Sequence, residues 1–177
     1  FADTENPESF QSEVTDKTRA IFIENLANPG GIVVDLEKIV KIANEAGVPL
    51  IVDNTLATPY LAQPLEWGAD IVVHSTTKYL SGQGNAIGGV VIDSGNFPWL
   101  ENPKYPSLSS PSAEYNGLKF AETFGDLAYT MYSHAVSLRD LGCTQSPMNA
   151  WITLNGVETL PLRMERHCSN GLAVAEF

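Results

Sequence analysis

Four short apolar runs, each closed by a polar or charged residue, constrain this chain most. They are residues 19–24 (RAIFIE), 49–53 (PLIVD), 70–74 (DIVVH) and 88–93 (GGVVID). Each has the length and the Ile/Val content of a β-strand. The runs are continuous rather than alternating, which predicts strands covered on both faces. Between the first two lies a helical pattern. Asp35 reads as an N-cap, Leu36, Ile39, Val40, Ala43 and Ala46 share one face, and Gly47 suits the stop. Strands separated by helical segments predict βαβ units and a mostly parallel sheet, an α/β fold in layers.

The remaining segments are less regular. NPESFQSEV reads as a short helix with Asn6 or Pro7 near its start, and Asn28-Pro29-Gly30-Gly31 is turn chemistry. A short amphipathic segment over 61–67 closes at Gly68. Residues 94–115 carry four prolines among Ser, Asn and aromatic residues, and predict a long irregular segment ordered as an aromatic wall. From Gly117 the pattern is helical, with a break over 142–147 and a last helix from about Asn149, bent near Gly156. The chain starts without Met and ends, in GLAVAEF, inside an amphipathic pattern, so it reads as an internal piece of a longer protein.

Composition narrows the function. Ten Lys+Arg against 21 Asp+Glu give a net charge of −11 over 177 residues, which argues against a nucleic-acid partner. No apolar run reaches the roughly 18 residues of a membrane span, and FADTENPESF is too polar for a signal peptide. Cys143 and Cys168, with His74, His134 and His167, have no metal-ligand spacing. No metal site and a reducing, cytoplasmic setting are expected. The glycine-rich signatures of dinucleotide and P-loop sites and the G-x-S-x-G elbow are absent from the sequence.

In open parallel sheets, ligands bind beyond the carboxyl ends of the strands. Here those ends are Glu24, just before Asn28-Pro29-Gly30, then Asp53-Asn54, then His74-Ser75-Thr76-Thr77-Lys78. Strands two and three, if adjacent and parallel, lie about 4.8 Å apart, which brings Asp53 and Lys78 to one pocket. Hydroxyls and free N–H groups at such an end hold phosphate. Lys78 within that cradle is a phosphate clamp, a Schiff-base nucleophile or a solvated surface lysine. Asp53 ends an apolar strand and needs a partner, or else it caps the Asn54-Thr55 turn. Asn28 is a ligand contact or simply part of a turn. His74 is expected to pack beside the pocket, and His167 to be structural.

The stretch VDNTLATPYLAQPLEWGADIVVHSTTKYLSGQGNAIGG, with His74-Ser75-Thr76-Thr77-Lys78-Tyr79 at its centre, resembles the Cys/Met-metabolism family of pyridoxal-phosphate enzymes. The resemblance extends through ENLANPGGIVVDLEKIVKIANEAGVPLIVDN upstream. Downstream, FPWLENPKYPSL, SPMNAWITLNGVETLPLRMERH and GLAVAEF are similar to the branch of sulfhydrylases acting on O-acetylhomoserine. It implies pyridoxal 5'-phosphate as cofactor, bonded to Lys78. Ser75 and Thr77 match its phosphate contacts, Asp53 the partner of its ring nitrogen, and Asn28 the contact to its ring hydroxyl.

The implied fold is the incomplete large domain of a fold-type I enzyme over residues 1–155. Residues 156–177 form the helix that leads to a C-terminal domain. The implied reaction is γ-replacement on O-acetyl-L-homoserine by sulfide or a thiol, giving homocysteine or methionine plus acetate. The implied partners are that small amino acid, sulfide or a thiol, and further copies of the chain in a dimer of dimers. Full-length family members are more than twice this long, and supply an aromatic over the cofactor and a carboxylate-binding arginine from outside this stretch. Two departures bear on substrate preference: Gly82-Gln83 stands where members carry Gly-His, and Tyr115-Asn116-Gly117 where they carry Tyr-His-Gly. Other readings are a cystathionine γ-synthase or methionine γ-lyase, against which the proline-rich 96–111 segment weighs, a cofactor-domain piece without turnover, and a generic α/β nucleotide binder.

Overall fold

A computed structural model describes residues 1–100 and 102–177. The chain opens with helix α1 (Glu8–Glu13) and strand β1 (Ile21–Glu24). Helix α2 (Leu36–Ala46) and strand β2 (Leu50–Asp53) follow, then the single turn α3 (Thr58–Leu61) and a 3-10 turn over Pro64–Trp67. Strand β3 (Ile71–Ser75) leads into an irregular helical turn over Thr76–Leu80, and β4 (Gly89–Asp93) returns. The sheet order is β1-β2-β3-β4. β1, β2 and β3 are parallel, and β4 is antiparallel to β3. Only residues 76–88 join β3 to β4, and they contain no full crossover helix, so an antiparallel return is the arrangement they allow.

The first helix of the sheet follows its sequence signals closely. Asp35 accepts the Lys38 N–H at 3.3 Å, and Gly47 ends the helix in the left-handed region at φ 62°. Ile39, Ile42 and Ala43 of α2 bury against Ile21, Ile23, Leu50, Val52 and Val72. The second face packs against an aromatic layer. Phe97, Trp99, Leu108, Phe120 and Ala128 cover Ile71, with Ile51 and Val73 beside it. The sheet thus lies between two layers.

Coverage of the sheet is uneven. The inner strands are covered on both sides, but on the outer strands Phe22 is 60% and Val91 54% exposed. Edge strands have a neighbour on one side only, and the flanking layers here centre on β2 and β3.

The proline-rich stretch is ordered as a wall. Phe97 and Trp99 have ring centroids 4.4 Å apart, Tyr105 meets Trp99 edge-on at 5.1 Å, and Tyr129 stacks on Trp99 at 5.6 Å. Within it lie one α-helical turn, α4 (Pro106–Ser109), and a 3-10 turn over Ala113–Tyr115. Beyond it come α5 (Phe120–Phe124) and α6 (Ala128–Tyr132), the latter running on in wider turns through Ser133–Asp140.

The last segment is two helices, α7 (Pro147–Glu158) and α8 (Leu160–Ala175). The break falls at Thr159, ahead of Pro161, and not at Gly156. Proline removes a backbone donor and fits a first helical turn. Gly156 has another role: a Cβ there would lie 2.3 Å from the Leu80 carbonyl oxygen, so glycine permits the close approach of α7 to the Thr76–Leu80 turn.

Candidate active site

The parallel ladder sets Glu24 of β1 level with Asp53 of β2, and Asp53 level with Val73 of β3. Side chains level in register share a face. Glu24, Asp53 and Ser75 therefore reach one side of the sheet at its carboxyl edge. A cavity of about 540 Å³ opens there, lined by Glu24, Asn28, Asp53, Ser75, Thr77 and Lys78, and also by Tyr79, Gly82 and His167. All five residues singled out by sequence line this one cavity.

The carboxylate side rests on a buried amide pair. Asn25 Nδ2–H donates to Asn54 Oδ1 at 2.7 Å, and Asn54 Nδ2–H donates to the carbonyls of Thr58 and Ala62 at 3.1 and 2.8 Å. These two asparagines follow Glu24 and Asp53 directly, and Asn54 is 1% exposed. They fix where the two strands end. Asp53 Oδ1 accepts the Thr55 N–H at 2.9 Å, as an Asx turn does, while the residue also lines the cavity. Glu24 Oε2 accepts the Asn28 N–H at 2.9 Å and so anchors the turn that follows β1.

The lysine side is a turn rather than a strand. Lys78 leaves the helical path at φ −92°, ψ −124° within Thr76–Leu80. The Thr55 hydroxyl oxygen accepts the Ser75 N–H at 2.8 Å, which ties this turn to the end of β2. The two hydroxyls proposed for phosphate differ. The Ser75 hydroxyl makes no hydrogen bond with the described residues. The Thr77 hydroxyl donates to the Gly88 carbonyl at 3.3 Å and accepts the Gly88 N–H at 3.1 Å. Thr77 therefore braces the 76–88 loop, and Ser75 is the freer donor.

One histidine lies elsewhere than sequence reasoning placed it, and a second lies on the expected helix but reaches the cavity. His74 sits next to Ser75 in an extended strand, so it points to the opposite face. It is 5% exposed and borders a smaller cavity with Asn54, Pro59 and Val72. Burial holds its pKa below the usual imidazole value, against the raising effects of an Asn54 backbone hydrogen bond and the Asp53 charge. His167, on α8 as expected, packs its ring 5.1 Å from that of Tyr79 and also lines the main cavity.

Sequence reasoning marked Glu24 as a strand end without giving it a role, and passed over the Asn25–Asn54 pair and Arg163. The first had a signal, since Glu24 ends its strand as Asp53 does. Arg163 donates to the Tyr79 carbonyl at 2.8 Å, beside Lys78.

The donor set fits pyridoxal 5'-phosphate. A primary amine, a carboxylate, a free hydroxyl and an amide converge on one cavity, which matches an aldehyde, a ring nitrogen, a phosphate and a ring hydroxyl. Among the described residues, no three His, Cys, Asp or Glu side chains are grouped to hold a metal ion. Among them too, no helix is long and apolar enough to cross a membrane.

Comparisons with known proteins point the same way. The family model of Cys/Met metabolism PLP-dependent enzymes matches residues 1–177. An O-acetyl-L-homoserine sulfhydrylase of Leptospira meyeri is 50% identical over 185 residues, covering 100% of this chain and 42% of the relative. A homocysteine/cysteine synthase of Saccharomyces cerevisiae is 45% identical, covering 100% of this chain and 40% of its own length. A crystal structure assigned as an O-acetylhomoserine (thiol)-lyase of Campylobacter jejuni, with N'-pyridoxyl-lysine-5'-monophosphate, superposes with a TM-score of 0.93 at 38% identity. That match covers 99% of this chain and 43% of the other. The chain spans about two fifths of the length of the curated relatives it matches.

Proposed function

The chain belongs to the family of Cys/Met metabolism PLP-dependent enzymes, and on that premise we propose that it carries the lysine–aspartate centre of an O-acetyl-L-homoserine sulfhydrylase. The reaction replaces the acetate on the γ-carbon of O-acetyl-L-homoserine by sulfide or a thiol, giving homocysteine or methionine. The names of the similar proteins support the substrate. The observation that carries the reading is the meeting of Lys78, Asp53, Ser75, Thr77 and Asn28 around one cavity.

Pyridoxal 5'-phosphate, when bound, supplies an electron sink for charge that develops beside the substrate's amino group. Lys78 is its covalent anchor, through the ε-amine. The Lys78 amine, when free, would hold and return a proton at the substrate's α-carbon as a general base and acid. Asp53 would pair with the ring nitrogen and favour its protonated form, its carboxylate held in orientation by the Thr55 N–H. Ser75 offers its hydroxyl to the phosphate, with Thr77 shaping the loop beside it. Asn28 addresses the ring hydroxyl, held by Glu24 through its own N–H.

We read residues 1–155 as part of the cofactor-binding domain and residues 156–177 as the connection to a further domain. Assembly as a homo-oligomer and a cytoplasmic setting belong to the same reading. The test is product analysis with the full-length protein. O-acetylhomoserine plus sulfide should give homocysteine and acetate, and methionine alone should be left intact. Release of methanethiol from methionine, without homocysteine formation, would assign the site to a γ-lyase instead.

A further inference from the structure

We propose that Arg163 is a positioning residue for Lys78, clamping the turn that carries the lysine to the corner between α7 and α8. The inference rests on the reading of Lys78 as the cofactor lysine. Arg163 Nη1–H donates to the Tyr79 carbonyl at 2.8 Å. Nη2–H donates to the Gly156 carbonyl at 2.7 Å, and Nε–H to the Thr159 hydroxyl at 3.1 Å. One rigid, planar fork thus joins three points. One lies in the lysine turn, and two lie where α7 hands over to α8.

The lysine turn needs such an anchor. Its own bonds close it at three carbonyls: Ser81 N–H to Thr76 at 3.1 Å, Gly82 N–H to Lys78 at 2.9 Å, and the Ser81 hydroxyl to Thr77 at 3.3 Å. The Tyr79 carbonyl is the one met by a side chain from a distant element. Because Lys78 departs from helical ψ, no regular helix carries the direction of β3 through the turn. External contacts must set it.

The packing around the clamp leaves no room to drift. Gly82 has φ 81°, and a Cβ on it would lie 2.7 Å from Arg163 Cζ. A Cβ on Gly156 would lie 2.3 Å from the Leu80 carbonyl oxygen. Two glycines at the two contact points allow backbone to meet backbone and guanidinium. Beneath them Leu80, Leu160 and Met164 form a small apolar cluster of their own, with Tyr79 packed against it. The corner is therefore a unit whose position, through Arg163, sets that of Lys78.

A role confined to the first turn of α8 would change stability and leave the lysine untouched. The two are separable in the full-length protein with Arg163→Ala, Arg163→Gln and Arg163→Lys. Four quantities are measured: the pyridoxal phosphate dissociation constant by absorbance titration, the pH midpoint of the visible band, kcat and KM, and amide hydrogen exchange over residues 76–82 without cofactor. The clamp predicts faster exchange over 76–82 in the cofactor-free Ala and Gln variants, at least tenfold weaker cofactor binding and a shifted pH midpoint. It predicts a fall in kcat, about tenfold to a hundredfold as for a displaced catalytic group, larger than any change in KM. Arg163→Lys, with one donor nitrogen in place of three and the same charge, should fall between. Wild-type exchange, affinity and pH midpoint in the Gln and Lys variants, with only the melting temperature lowered, would overturn it. If the Ala variant does not fold, the other two decide. A Lys78→Ala protein that keeps the visible band would instead refute the lysine reading, while the exchange data on cofactor-free protein would still judge the clamp.

Discussion

The two walls of the cavity are held by different means. Asp53 and Glu24 stand on adjacent parallel strands, and the Asn25–Asn54 amides lock the strand ends from within the core. Their positions follow from the sheet itself. Lys78 stands on an irregular turn beyond β3, steadied by Thr55 from one side and by Arg163, 85 residues further along the chain, from the other. The carboxylate wall shares the stability of the fold. The lysine wall depends on contacts that could fail while the fold persists.

The largest effect should come from removing the lysine itself. Lys78 is exposed, so Lys78→Ala should leave the unfolding free energy within about 0.5 kcal/mol of wild type, as for surface changes generally. Activity should fall by about 10²–10⁴, the usual worth of a positioned acid–base group, and the visible absorbance of the lysine-bound cofactor should vanish. Denaturant titration and an absorbance spectrum of the same preparation check both halves.

The carboxylate wall should behave in the opposite way. Asn54→Ala removes the acceptor for the buried Asn25 amide and the side-chain donor to the half-buried Ala62 carbonyl, while the Thr58 carbonyl keeps the Ala62 N–H at 3.2 Å. Buried groups left unpaired cost about 1–3 kcal/mol each before relaxation, so a loss of about 3 kcal/mol is expected. Urea unfolding measures it. If Asn54→Ala unfolds at the wild-type urea concentration, the amide pair does not anchor the strand ends.

Gly156→Ala separates the walls more finely. The new methyl meets the Leu80 carbonyl at 2.3 Å, and overpacking of this kind costs about 1–3 kcal/mol. The strain falls on the lysine turn, so cofactor affinity and activity per folded molecule should drop as well. In Asn54→Ala the loss should be chiefly in the folded fraction. Equal activity per folded molecule in the two variants would erase the distinction between the walls.

This contrast also explains what was legible in the sequence. The four strands and α2 carry periodicity, caps and stops in their own residues, and each lies within two residues of where those signals placed it. The strand-end residues were legible because a strand's end defines a sheet edge. Alternation within β3 was the neglected signal for His74, since Ser75 and His74 cannot face the same side. For His167 the signal was helical spacing, as Leu160, Arg163, Met164 and His167 share one face of α8. The partner of Arg163 had no signature, because a backbone carbonyl looks the same at every residue. The break at Thr159 went to Gly156 for a related reason: glycine marks both bends and close approaches, and only the neighbouring Leu80 carbonyl distinguishes them.

The smallest predicted effect concerns the face of β3 turned away from the cavity. His74 is buried, its Nδ1 has no partner among the described residues, and burial keeps its pKa below 6.5. In the unfolded chain the imidazole takes up a proton as pH falls through about 6.5, while the folded one stays neutral to lower pH. The unfolded state then binds more protons, so stability falls with pH from about 6.5 down to the folded pKa and levels off below it. One group contributes at most about 1.4 kcal/mol per pH unit. Asp70, at the other end of this strand, has the opposite sign: burial raises its carboxyl pKa, so its penalty is relieved as pH falls towards 3.8. His74→Gln removes only the first contribution, and groups common to both proteins cancel in the difference. Urea unfolding of wild type and His74→Gln at pH 7, 6 and 5 should therefore show the wild type losing stability faster. Parallel curves over that range would mean that His74 takes up its proton as readily folded as unfolded, and that β3 tolerates a charge on its covered face.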